Sequence, residues 1–236
     1  VTDSVIIEDC GPVRWFTIDR PEVRNALDNA VLQAIVDVVR DSENDLSVRV
    51  LVIRGRNDVF CSGLDFVAAR NGTLDTELWP RAIRTLRTTE VPTIAAVNGP
   101  AITGGMGVML ACDIAIAADS ARFVDSHAKI RLLSGSGIST MLIDRIGLSR
   151  AKEMMLTARQ IEATTAERWG LVNQVVPRAE LEASVTERAE LIAQHDPALL
   201  RATLSAHQAA FEAAAVGRFD NERERAFAWA DAQDRS

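Results

Sequence analysis

The sequence predicts an α/β core followed by an all-helical C-terminal region. Three observations predict it. Short, wholly apolar runs such as residues 93–97 and 114–117 suit strands buried on both faces. Between them stand helical patterns, and a strand–helix–strand order argues right-handed parallel crossovers. From Ala179 onward every patterned segment is helical, so the composition shifts near Pro177. The division drawn on this basis is a core over residues 1–176 and a helical region over 177–236.

Each element has a local signal. Residues 5–8 and 13–18, around Gly11-Pro12, read as a β-hairpin that Arg20-Pro21 ends. Asp28 is placed to cap a helix running to about Ser42, with Val31, Leu32, Ile35, Val36, Val38 and Val39 as a broad apolar face. Residues 48–54 form a strand closed by Gly55. Residues 60–65 form a turn that opens a glycine-bearing loop. A flexible break at 71–73 precedes a helix over 78–88, with Pro80 near its start.

The chain is organised around residues 92–123. Asn98, Gly99 and Pro100 break the strand 93–97. Gly104 and Gly105 then open a segment, 106–112, that is apolar all round and therefore a core helix. Asp113 closes it before the strand 114–117. A glycine-lined helix N-terminus thus points inward. There, unpaired N–H groups and the positive dipole end can hold a negative oxygen, and glycine lets the backbone approach it closely. The same glycines would equally serve a tight strand-to-helix turn. Residues 124–137 are less regular. Helices at 139–146 and 150–157 flank Gly147. A helical turn at 164–169 stops at Gly170, and 171–176 is a strand. The C-terminal helices span 179–194, 198–215 and 221–232, broken at Asp196-Pro197 and Gly217.

Composition bounds the function. An apolar fraction of 47% with 25% charged residues is that of a soluble globular protein. The net charge is −7, with no basic block, which argues against nucleic acid as a partner. Cys10, Cys61 and Cys112 lack metal-ligand spacing, so no metal site is expected. Two of them lie in apolar runs and read as buried free thiols, which suits a reducing cytoplasm. VTDSVIIEDCG has neither a basic start nor a long apolar run, so no signal peptide is expected. No apolar stretch is long enough for a membrane span. His195 and His207, among charged and alanine-rich residues, read as surface positions.

Several blocks, in order along the chain, together resemble the crotonase superfamily, the enoyl-CoA hydratase and isomerase relatives. They are RPEVRNALD (20–28), VLVIRGRNDVFCSGLDF (50–66), the central stretch 92–123, ARFVDSHAKI (121–130) and MMLTARQIEATTAERWGLVNQVVP (154–177). The resemblance implies a crotonase-like ββα spiral core and an acyl-CoA thioester ligand, with coenzyme A part of the substrate and no separate cofactor. It also implies a homotrimer or dimer of trimers assembled through the C-terminal helices. Phe211, Phe219, Phe227 and Trp229 agree, as more large apolar groups than one small helical region buries.

The resemblance also implies roles. The backbone N–H groups of Leu64 and Gly104 stand where the family places its oxyanion-hole donors. Each such donor contributes roughly 3–4 kcal/mol to a developing enolate oxygen. Arg24, Ala26, Ser62 and Asp65 match the family's CoA contacts. Arg24 either pairs with a phosphate or is an exposed helix-start arginine. Asp65 either contacts CoA or caps a helix beginning at Phe66. Where hydratases of the family carry two glutamates that position and deprotonate water, this chain has Gly107 and His127. Glycine transfers no proton. Histidine can, near neutral pH. In an extended segment Asp125 and His127 share a face, with Asp125 orienting the imidazole and Ser126 pointing away. Thr103, Arg131 and Ser134 also depart from the family pattern, and an altered pocket wall is expected. The resulting expectation is a family enzyme of lyase or isomerase type that stabilises a thioester enolate and is not a standard hydratase. The alternative is a non-catalytic acyl-CoA-binding or carrier protein.

Overall fold

A computed structural model describes residues 3–135, 137–214 and 217–233. The chain opens with the hairpin β1 (Val5–Cys10) and β2 (Val13–Ile18), paired antiparallel. Helix α1 (Asn29–Asn44) follows, with the Asp28 side chain accepting the Val31 N–H as an N-cap. It leads to β3 (Val50–Gly55), which pairs parallel to β2. Two helices, α2 (Phe66–Arg70) and α3 (Leu78–Arg87), precede β4 (Thr93–Val97). Pro80 lies in the first turn of α3, where its missing N–H has no intrahelical partner to lose.

The central stretch continues as β5 (Ala101–Ile102), α4 (Gly104–Ala111), β6 (Ile114–Ala118) and β7 (Arg122–Val124). Then come α5 (His127–Ile130), α6 (Ile138–Ile146), α7 (Leu148–Thr157), β8 (Ile161–Glu162), α8 (Ala163–Trp169) and β9 (Gln174–Val176). Helices α9 (Leu181–Ala193), α10 (Pro197–Ala214) and α11 (Arg218–Gln233) end the described chain. Several expectations shift by one to three residues at their edges, and two of these shifts concern the central helix and the last strand. Helix α4 begins two residues earlier than the apolar run, because Gly104 and Gly105 form its first turn. The last strand keeps only three of its six expected residues. Ala215, in the expected penultimate helix, lies outside the described residues.

The main sheet has the order β1-β2-β3-β4-β6-β9, parallel apart from the opening hairpin. Its strands sort their side chains by parity. Val50, Val52, Ile94, Ala96, Ile116 and Ala118 pack toward Leu181, Val185 and Ala189 of α9. Leu51, Ile53, Ala95, Val97, Ala115 and Ala117 face the larger core with α1, α3 and α4. Period-two alternation between two apolar layers is what a strand buried on both faces requires. A second sheet, β5-β7-β8, is short, and it fixes the turn before α4 against the segment leading to His127. Every residue of α4 is buried. The Arg145 guanidinium donates to the carbonyls of Leu110 and Cys112, placing a cation at its C-terminus.

Candidate active site

The site begins where two loops meet. A Cβ on Gly105 would overlap the Cys61 carbonyl oxygen, so the loop 58–63 lies directly on the first turn of α4. Bonds from Cys61 N–H to the Pro100 carbonyl and from Ile102 N–H to the Cys61 carbonyl lock the two together. Gly63 takes φ +100°, a conformation glycine accepts without penalty, and turns the next peptide inward. The result sets two backbone N–H groups side by side. A Cβ on Gly104 would stand 3.0 Å from the Leu64 nitrogen. Neither the Leu64 nor the Gly104 N–H donates to another described residue. Backbone donors away from bulk water are nearly always satisfied, so two adjacent free ones at a helix N-terminus can hold an anionic oxygen.

Thr103, just before the helix, has φ 47° and ψ −98°, which is costly for a β-branched residue. Three hydrogen bonds hold it there. Its N–H donates to the Val124 carbonyl at 2.8 Å. Its hydroxyl lies 2.6 Å from the Ser126 hydroxyl and accepts the Ser126 N–H at 3.0 Å. Ser126 thus turns away from its neighbours' carboxylate–imidazole pair and supports the glycine turn.

Asp125 is fully buried, at 0% exposure. Its carboxylate accepts the His127 backbone N–H at 3.0 Å, and the His127 Nδ1 lies 3.0 Å from each carboxylate oxygen. A carboxylate at that nitrogen favours the tautomer with the proton on Nδ1, which leaves Nε2 as an acceptor. The His127 side chain retains 15% exposure, so the ring is reachable.

Helix α4 offers no acid. A Cβ on Gly107 would stand 3.0 and 3.1 Å from the Trp79 ring carbons Cη2 and Cζ2, and 3.2 Å from Ile138 Cδ1. The room a longer side chain would need is taken by an indole that is itself only 7% exposed.

The remaining expected residues are gathered on the same loops. Arg24 is exposed, and its guanidinium bonds to no described residue. Ala26 is buried. The Ser62 hydroxyl donates to the Val23 carbonyl. Asp65 caps α2 through the N–H groups of Val67 and Ala68 and accepts from Arg20 at 3.1 Å. Burial pushes the Asp65 carboxyl up, but the Ala68 and Val67 N–H groups and Arg20 outweigh it and hold its pKa below the ordinary value.

Sequence reasoning missed Arg20, which also donates to the Ala26 carbonyl at 2.7 Å and pairs with Asp28 at 3.3 Å, tying the first block to the Leu64 loop. It also missed Trp79. Cys61 and Cys112 are buried and Cys10 is exposed. Burial raises the Cys61 thiol to about 12, so it is inert as a nucleophile. No group of three or more His, Cys, Asp or Glu among the described residues is arranged to hold a metal ion. No described helix is long and apolar enough to cross a membrane.

Residues 11–235 match the family model described as Enoyl-CoA hydratase/isomerase. The chain is 33% identical over 197 residues to the probable enoyl-CoA hydratase 1, peroxisomal, of Arabidopsis thaliana, covering 82% of this chain and 74% of that protein. It is 32% identical over 198 residues to 4-chlorobenzoyl coenzyme A dehalogenase-1 of an Arthrobacter species, covering 80% and 72%. The crystal structure of an enoyl-CoA hydratase from Mycobacterium tuberculosis H37Rv superposes with a TM-score of 0.89 at 33% identity, over 97% of this chain and all of that one.

Proposed function

The chain belongs to the enoyl-CoA hydratase/isomerase family, and from that premise we propose that it binds an acyl-CoA thioester and stabilises the enolate or oxyanion formed at the thioester carbonyl. The observation that carries this is the pair of unengaged N–H groups at Leu64 and Gly104. Preorganised donors of this kind act where charge develops and need no reorganisation when it does. His127, held by Asp125, is the proton-transfer group. Its Nε2 can take a proton from a carbon next to the thioester, or return one. The first-block and loop residues Arg24, Ala26, Ser62 and Asp65 hold the CoA portion, with Arg24 free to pair with a phosphate.

The reaction differs from hydration of a 2-enoyl thioester, because one imidazole stands where relatives use two carboxylates. Similarity to a dehalogenase as well as to hydratases is consistent with a fold that hosts several acyl-CoA reactions. A second reading, a non-catalytic acyl-CoA-binding protein, is favoured by the indole that fills the space over Gly107.

The assembly we propose is a homotrimer or dimer of trimers, with Phe227 and Trp229 of α11 in the contact. They are 55% and 45% exposed, whereas Phe211 and Phe219 are partly covered and flank Arg87. Two buried free thiols fit a reducing cytoplasm.

The test is calorimetry with butanoyl-CoA and with butanoate, followed by turnover against a panel of acyl-CoA thioesters. Binding of the thioester, tighter than that of the free acid, supports the proposal. No affinity for any acyl-CoA overturns it. Turnover that depends on His127 selects the enzyme over the binding protein.

A further inference from the structure

We propose that Trp79 is the residue that limits the acyl group, ending the acyl pocket one helical turn from the oxyanion donors and restricting it to short chains. This rests on the acyl-CoA reading above and names the substrate class within it.

Gly104 and Gly107 stand three residues apart on α4, so they share a face and are separated by about 4.5 Å along the axis. On that face the Cβ direction of Gly104 meets the Leu64 nitrogen at 3.0 Å. That of Gly107 meets Trp79 Cη2 and Cζ2 at 3.0 and 3.1 Å, backed by Ile138 Cδ1 at 3.2 Å. The indole edge therefore meets α4 less than one turn beyond the donor at Gly104, a rise on the order of a four-carbon chain.

The ring is fixed in place. Leu78, Ala82, Ile83 and Leu86 bury the rest of α3. Glu77, at its N-cap, is paired with Arg223 of α11 at 2.6 and 2.8 Å. Glycine at 107 and tryptophan at 79 are complementary, since any larger residue at 107 would displace the ring. The atoms that meet Gly107 are all carbon, Trp79 Cη2 and Cζ2 and Ile138 Cδ1.

The experiment is calorimetry with butanoyl-CoA and octanoyl-CoA on the full chain, comparing wild type, Trp79→Ala and Trp79→Leu. The leucine variant keeps an apolar side chain on α3 in case the alanine variant does not fold. Both thioesters are saturated, so neither is consumed by addition across a double bond. The wild type is expected to bind butanoyl-CoA at least tenfold more tightly than octanoyl-CoA. Each methylene newly buried is worth about fourfold in affinity, so each folded variant is expected to shift that ratio at least tenfold toward octanoyl-CoA. A ratio unchanged in both variants, with both thioesters still bound, overturns the role of Trp79 and leaves the acyl-CoA reading standing. If the wild type binds neither thioester, the acyl-CoA reading falls and this inference with it. Tryptophan fluorescence adds an independent readout. Butanoyl-CoA is expected to perturb the wild-type emission and to lose most of that effect in Trp79→Phe. A signal equal in the two proteins contradicts contact with the indole.

Discussion

The imidazole Nδ1 of His127 lies 3.0 Å from both carboxylate oxygens of Asp125, and the same carboxylate accepts the His127 backbone N–H. One buried acid therefore sets both the rotation of the ring and the nitrogen that carries its proton. If His127 moves the proton, His127→Ala is expected to lower turnover on the responsive thioester by about 10²–10⁴ with binding nearly intact. Asp125→Asn is expected to lower turnover less, because the ring remains but loses its orientation. Turnover and affinity measured side by side check this. A His127→Ala variant that turns over normally removes the residue from the chemistry.

Hydration of crotonyl-CoA is expected to be absent or weak, read as loss of the conjugated-thioester absorbance beside an authentic hydratase. Gly107→Glu alone is not expected to restore it. The new side chain would collide with Trp79 and Ile138, and overpacking of this kind costs about 1–3 kcal/mol. The variant should show a lowered unfolding midpoint and no gain in hydration. A wild-type rate matching the control would mean that another group supplies the missing carboxylate.

Thr103 gives a prediction about strain. Thr103→Ala keeps the positive φ and loses the hydroxyl bonds to Ser126, so it is expected to cost about 1–3 kcal/mol. Thr103→Gly loses the same bonds but relieves the backbone, and should be the more stable of the two. Urea unfolding of both variants decides the order. The reverse order would show that Thr103 is unstrained.

The Asp65 carboxyl has its pKa lowered in the folded chain. Its contribution is therefore complete above the unfolded carboxyl pKa of about 3.9 and is lost as pH falls through the folded value. Asp65→Asn should be less stable than wild type at about pH 7, and the gap should narrow toward about pH 3. A gap independent of pH would contradict the lowered Asp65 pKa.

Much of this was legible in the sequence, for physical reasons. Strands buried on both faces are written as continuous apolar runs. The α4 helix has no polar face at all. Asp28 announces the start of α1. The two-residue strands β5 and β8 were not legible, because pairing so short leaves no periodicity. The early start of α4 was hidden because glycines read as loop, yet here they form the turn that lies on the Cys61 carbonyl. Trp79 reads as an ordinary core residue of an amphipathic helix. Only packing against α4 reveals that it occupies the space over Gly107. Glu222 is similar. Its carboxylate accepts from the N–H groups of Gly137, Ser139 and Thr140 and so caps α6 from the last helix. No local signal marks a cap delivered from so far along the chain.

The proposed function turns on the Leu64 and Gly104 N–H groups holding a thioester oxygen. A crystal structure of the chain with butanoyl-CoA shows whether they do. The thioester oxygen is expected about 2.7–3.1 Å from both nitrogens, with His127 Nε2 facing the adjacent carbon. A thioester bound elsewhere, or an oxygen engaged by neither nitrogen, would contradict it.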